Sequence, residues 1–145
     1  MGIEQKSLAK GEITGIIPHR DPILFLESVE HVEFGVNARG KMRDWTQDPE
    51  IGDQNFPQAL VAEVLSQLGA VVILGMPENK RKIGILAGVD NFTFGSPLTP
   101  GEEVILEANI SRMRHNFGKG HVRAMVNNKV RAEGDITFAL TDKTP

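Results

Sequence analysis

Apolar residues are concentrated in one stretch near the middle of the chain. Residues 58–76 read QALVAEVLSQLGAVVILGM, and their length and their Ala, Leu and Val content favour a helix that ends before Pro77. Apolar side chains occur nearly all around this helix, which is typical of a buried helix. The polar exceptions are Glu63, Ser66 and Gln67, which share one face because Ser66 and Gln67 lie three and four positions after Glu63. The pattern predicts a buried helix with one narrow polar stripe.

Alternating apolar and polar positions predict strands on both sides of this helix. Before it, residues 23–34 and 36–43 form a predicted hairpin, followed by a polar loop at 44–57. After it, the alternation is typical of half-buried strands with a period of two. These later strands are predicted at residues 83–89, 92–94, 104–111, 118–126 and 130–140, with a hairpin signal at Asn127-Asn128.

The order of these elements predicts the architecture. A lone apolar helix among antiparallel strands has to be covered on most sides, so the sheet must curl around it. We therefore expect an α+β protein with the hot-dog fold, built as a single domain over residues 1–145 around a central helix at about 58–76. One such sheet leaves part of the helix bare. A homodimer or a higher oligomer is expected, with the polar stripe facing a tunnel between the subunits.

The composition narrows the possible chemistry. The chain has 145 residues, of which 40% are hydrophobic, and a net charge of −3. These values argue against a disordered polypeptide and against a nucleic-acid partner. Cysteine and tyrosine are absent, so disulfides, thiolate nucleophiles, cysteine-bound zinc and phenolic acids are excluded. The four histidines lack the spacing of metal ligands, and we expect neither a metal nor a cofactor.

The sequence also predicts a location. The first residues are polar and lack the apolar segment of a signal peptide. The longest apolar stretch is far shorter than the roughly 20 residues that cross a membrane. We expect a cytoplasmic protein without a membrane span.

Six segments in a fixed order carry a resemblance to a known family. They are IIPHRDPILFLE (16–27), AEVLSQLGA (62–70), AGVDNFTF (87–94), PLTPGEEVILE (97–107), GKG (118–120) and AEGDITFAL (132–140). Together they resemble the (3R)-hydroxyacyl-acyl-carrier-protein dehydratases of bacterial fatty acid synthesis, over almost the whole chain. The resemblance implies dehydration of β-hydroxyacyl thioesters to trans-2-enoyl thioesters. The implied substrates are acyl carrier protein thioesters or acyl-CoA.

The resemblance also implies a two-part site, with a histidine in a Gly-His-Phe-Pro loop and a glutamate in a helical Glu-Ala-x-x-Gln motif. Glu63 and Gln67 match the helical motif, which implies that Glu63 is a catalytic residue and serves as the acid. In the loop, Asn55 stands where the histidine is expected, followed by Phe56 and Pro57. Asn55, Phe56, Pro57 and Gln67 are therefore the expected substrate-binding residues.

The replacement of the loop histidine affects the chemistry directly. Dehydration removes an α-proton, a task for a neutral histidine, and protonates the departing hydroxyl, a task for a carboxyl of raised pKa. Asn55 cannot titrate. No histidine lies between His31 and His115, so a replacement has to come from elsewhere in the fold or from the dimer. The candidates are Asp53, although a turn-forming role is favoured for it, a bound water and a partner subunit's histidine. A structural, hydrogen-bonded role is expected for His19.

Two alternatives to an active dehydratase remain open. A hot-dog thioesterase needs only a helical carboxylate as base or nucleophile, with backbone amides that polarise the carbonyl, and Glu63 fits that role. A non-catalytic acyl-binding subunit is the other alternative. Such a subunit would complete a mixed dimer with a histidine-bearing homologue, because the family's histidine and glutamate come from different chains.

Overall fold

A computed structural model describes residues 5–143, with side chains from residue 7 onwards. The elements are β1 (Gln5–Leu8), α1 (Lys10–Ile13), β2 (Leu26–Glu33), β3 (Asn37–Met42), α2 (Gln58–Leu74), a 3-10 turn (Pro77–Asn79), β4 (Lys82–Phe94), β5 (Ile105–Arg114), β6 (Phe117–Val126) and β7 (Lys129–Asp142). All strands belong to one sheet in the order β1-β2-β3-β5-β6-β7-β4. Every neighbouring pair is antiparallel.

Helix α2 lies against the concave side of this sheet. It contacts β2 to β7 in turn, and every residue from 64 to 74 is buried. Gly69 faces β7 so closely that a Cβ there would lie 2.6 Å from the Cδ1 atom of Ile136. The sheet therefore wraps the helix as the hydrophobic pattern predicts, and the α+β hot-dog fold is confirmed.

The ends of the predicted elements need small corrections. Helix α2 stops at Leu74, two residues early, and Gly75 is its C-cap. Pro77 disfavours the helical conformation at the residue before it, and Met76 is extended, with a ψ of 135°. The two strands predicted at 83–89 and 92–94 are one strand, β4. Asn91 has a φ of 56°, and the pairing of β4 with β7 shifts register there. Such a bulge interrupts the alternation without ending the strand.

The short elements β1 and α1 were not predicted, since four residues carry too little periodicity. No helix within residues 5–143 combines the length and the apolar character that crossing a membrane requires.

Candidate active site

Glu63 lies where the exposed beginning of α2 meets its buried part. Residues 58 and 59 are exposed and residues 64–74 are buried, while the Glu63 side chain keeps 35% of its surface exposed. It is the only carboxylate on α2. The helix therefore presents one anionic group at the boundary between core and surface.

Gln67 lies one helical turn further on and is fully buried. Its Oε1 accepts the Phe25 N–H at 2.9 Å, and its Nε2 donates to the Ile23 carbonyl at 2.7 Å. The same Nε2 donates to Glu63 Oε2 at 3.3 Å. Gln67 thus satisfies the buried Phe25 N–H, joins the Ile23 carbonyl to α2 and orients Glu63. Its predicted role in substrate binding stays a prediction.

His19 contacts the same carboxylate from the segment between α1 and β2. Its Nε2 lies 3.2 Å from Glu63 Oε2, and its side chain is 28% exposed. Its Nδ1 is buried and has no hydrogen-bond partner within the described chain. We expected a structural role for His19, and the structure adds a direct contact with the helical carboxylate. Sequence alone offered one signal, a polar His-Arg pair within an apolar segment, but it does not specify that partner.

Two arginines hold the backbone that carries His19. The Arg20 guanidinium donates to three backbone carbonyls within residues 14–19 at 2.8–2.9 Å. Arg43 donates to the Leu24 carbonyl at 2.9 Å and to the Pro22 carbonyl at 2.7 Å. Together with Gln67, these bonds fix the segment against α2. His19 is therefore positioned by the fold before any ligand arrives.

The surroundings of Glu63 favour its charged form. The hydrogen bond with His19 is the largest influence and lowers the pKa of Glu63, while partial burial opposes it and the Gln67 amide adds to the lowering. The net effect holds the pKa of Glu63 below its ordinary value of 4.5. This corrects the expectation that an apolar site raises that pKa. Glu63 is ionised at neutral pH and is suited to accept a proton rather than to give one.

In the loop at residues 44–57, Phe56 packs in the hydrophobic core, although the sequence predicts a substrate-binding role for it. The Phe56 ring is 2% exposed and packs on Phe25 and Trp45, with ring centroids 5.1 and 5.2 Å apart. Asp53, Asn55 and Pro57 are exposed around it. In the part of the chain that the structure describes, no hydrogen bond joins Asp53 or Asn55 to the helix carboxylate. Roles of these loop residues in catalysis or substrate binding stay predictions.

The geometry brings together an imidazole, a carboxylate and an amide. An imidazole and a carboxylate in contact form a pair that can hold and move a proton, which is the equipment of general acid–base chemistry. Among residues 7–143, no group of three His, Asp or Glu side chains has an arrangement that could hold a metal ion.

No protein-family model matches the chain, but curated proteins do. The chain is 38% identical over 136 residues to the 3-hydroxyacyl-[acyl-carrier-protein] dehydratase FabZ of Herpetosiphon aurantiacus. This alignment covers 90% of the chain and 96% of the relative. It is also 38% identical over 136 residues to the FabZ of Thermomicrobium roseum, with 90% and 91% covered. The FabZ of Chloroflexus aggregans is 36% identical over 138 residues, with 92% and 96% covered.

Solved structures resemble the fold at lower identity. A chain of the dehydratase heterocomplex ApeI:P from Xenorhabdus doucetiae superposes with a TM-score of 0.77 at 17% identity, covering 90% of this chain and 91% of that one. A mutant thioesterase from Pseudomonas aeruginosa superposes with a TM-score of 0.64 at 14% identity, covering 83% and 84%. At these identities the likeness concerns the fold alone.

Proposed function

The chain belongs to the family of 3-hydroxyacyl-[acyl-carrier-protein] dehydratases, and from this premise we propose that it carries out the family's reaction. The substrate is a 3-hydroxyacyl thioester of acyl carrier protein, and the products are the trans-2-enoyl thioester and water. The relatives match along at least 91% of their own length, so the likeness extends beyond one shared motif. The reaction belongs to fatty acid synthesis or to related acyl-chain synthesis.

The observation that supports the proposal is that Glu63 is an ionised, partly exposed carboxylate that can accept a proton. Loss of water begins with a proton on the carbon next to the thioester carbonyl, and a base has to take it. Glu63 is partly exposed, oriented by Gln67 and ionised at neutral pH. Its Oε1 has no hydrogen bond within the described chain. Glu63 therefore has one oxygen held in place and the other available to the substrate.

We propose that the chain works as a homodimer joined through β4. Among the strands of residues 5–143, β4 lies at one edge of the sheet and pairs only with β7. It exposes Ile85, Leu86, Val89 and Phe94, and a long apolar edge strand is a template for pairing with another chain. Two β4 edges side by side would cover this row. Sedimentation of Val89→Lys should give a monomer where the wild type gives a dimer.

A mixed dimer with a histidine-bearing homologue is the alternative assembly, and the ApeI:P heterocomplex is a dehydratase assembly of two different chains. A cytoplasmic location stays a prediction.

The test of the proposed function is the product that the purified chain forms from a 3-hydroxyacyl-acyl carrier protein. Mass spectrometry of the carrier protein should show loss of one water with the thioester intact. Release of the free carrier thiol instead would contradict dehydration and favour the thioesterase alternative. Turnover only after co-expression with a histidine-bearing dehydratase would favour the mixed dimer. The same assay with 3-hydroxyacyl-CoA decides whether the carrier protein is required.

A further inference from the structure

We propose that His19 is the second proton-transfer residue of this site and takes the place of the histidine that the loop lacks at Asn55. The inference rests on the proposed dehydration, and it assigns to one chain both groups that the reaction needs. It starts from the 3.2 Å contact between His19 Nε2 and Glu63 Oε2.

The orientation of His19 makes Nε2 the working nitrogen. Nδ1 is buried without a partner among residues 7–143, so it cannot exchange a proton with a ligand at the surface. Nε2 faces Glu63, and both side chains keep about a third of their surface exposed, 28% for His19 and 35% for Glu63. A substrate that reaches Glu63 Oε1 therefore approaches the imidazole edge as well.

The position of His19 is fixed as closely as that of the carboxylate. The bonds from Arg20 hold the backbone at His19 and before it, and Gln67 joins residues 23 and 25, which follow it, to α2. Catalytic groups act best when surrounding hydrogen bonds hold them in the productive geometry. A histidine needed only for packing does not require its ring nitrogen to face a partly exposed carboxylate.

The other three histidines of the described chain make no ion-pair contact with Glu63. His31 lies on β2 opposite Arg39 of β3, and His121 is held by Asp135 and Glu133 of β7, each at 3.0 Å. His115 is exposed in the β5–β6 hairpin. Within the described chain, His19 is the only ionisable side chain in an ion-pair contact with Glu63.

The proton balance closes within the pair. His19 enters the reaction carrying the proton that it delivers, and Glu63 enters as the carboxylate. Glu63 takes the α-proton as the Cα–H bond breaks, and His19 gives its proton to the hydroxyl oxygen as the Cβ–O bond breaks. The double bond forms between Cα and Cβ, and water leaves. The proton on Glu63 then returns to His19 across their contact, so the pair ends as it began.

The proposal has a consequence for the assembly. In the family pattern the histidine and the glutamate of one site come from different chains, whereas here both groups lie in the same chain. A preparation of this chain alone then contains every proton-transfer group, and a histidine-bearing homologue is not required for turnover.

The experiment compares wild type, His19→Gln, His19→Asn and Glu63→Gln, with His115→Gln as the matched control histidine. Steady-state dehydration of a 3-hydroxyacyl-acyl carrier protein is followed between about pH 5 and 9, the range in which histidine titrates, and thermal unfolding verifies that each variant is folded. We expect both His19 variants to lose about 10²–10⁴-fold in kcat with little change in KM, since a proton-transfer group acts in the transition state. We expect His115→Gln to match the wild type.

The pH profile separates a catalytic His19 from a structural one. The wild-type rate should fall on the alkaline side, as a rate that depends on a proton-donating imidazole does, and the residual rate of His19→Gln should lack that fall. A folded His19→Gln that keeps more than about a tenth of the wild-type kcat would overturn the proposal. Should neither His19 variant fold, a wild-type profile without an alkaline fall would overturn it equally. A wild type that forms no enoyl product refutes the proposed function itself, whereas an active wild type with an active His19→Gln refutes only the role of His19.

Discussion

The hydrogen bonds of Gln67 predict that Gln67→Met is destabilising. Methionine has a similar volume and fills the same buried space. It cannot bond to the Phe25 N–H or to the Ile23 carbonyl, which Gln67 satisfies at 2.9 and 2.7 Å. The Phe25 N–H would then stay in the interior without a partner, because a side-chain substitution cannot remove it. Ile23 is exposed, so water can bond to its carbonyl instead.

The magnitude follows from the number of groups left unpaired. A buried donor without a partner costs about 1–3 kcal/mol, so the unpaired Phe25 N–H predicts a loss of about 1–3 kcal/mol. Domains of this size have a free energy of unfolding of about 5–15 kcal/mol. The substitution therefore removes a measurable part of the stability. Glu63 also loses the amide that orients it, so dehydration should weaken in the molecules that stay folded.

Urea denaturation of Gln67→Met and of Ser66→Ala measures this effect. Ser66 is the neighbouring buried polar residue, and its hydroxyl donates only to the Ala62 carbonyl of its own helix at 2.7 Å. Ser66→Ala should change the free energy of unfolding by less than about 1 kcal/mol. A Gln67→Met loss as small as that of Ser66→Ala would refute the conclusion that Gln67 joins the residue 19–25 segment to α2.

Three further predictions concern the sheet and its ion pairs. The hydrogen bond from Arg131 lowers the pKa of Glu102 from 4.5 to about 2, so this pair stabilises the fold above about pH 4.5. The difference in melting temperature between wild type and Glu102→Gln should therefore shrink as the pH falls towards 2. The hydrogen bond with Asp135 raises the pKa of His121 above 6.5, so the contribution of His121 to stability is present in full below pH 6.5. The melting temperature of wild type should exceed that of His121→Gln by more near pH 5 than near pH 9. A Cβ on Gly120 would lie 2.7 Å from a backbone oxygen of β5, and Gly120→Ala should lose about 1–3 kcal/mol in urea denaturation.

The fold could be predicted from the sequence because its strongest features are local. The nineteen-residue apolar run gave the central helix, and its polar interruptions at Ser66 and Gln67 are buried as part of the stripe. Asn127 and Asn128 both have positive φ, 52° and 63°, as a tight hairpin turn requires. In each case a few adjacent residues carry the whole physical reason for the structure.

The site could be predicted only in part because half of it depends on tertiary contact. Glu63 stood out as the carboxylate of an apolar helix. Its contact with His19 joins two segments that are distant in sequence, and no periodicity or spacing reports it. The same contact reverses the expected direction of the pKa of Glu63, since burial alone would raise it. The family motif places the catalytic histidine at position 55, which is Asn55 in this chain. The imidazole that contacts Glu63 comes instead from His19, in the segment before β2.

In the proposed reaction, Glu63 is the base that starts the loss of water. The rate of enoyl-thioester formation from 3-hydroxyacyl-acyl carrier protein by wild type and by Glu63→Gln, each purified without any other dehydratase, tests this role. Glutamine keeps the shape of the side chain but cannot accept a proton. We expect Glu63→Gln to fold and to lose about 10²–10⁴-fold in rate. A folded Glu63→Gln within about tenfold of the wild-type rate would show that Glu63 is not the base.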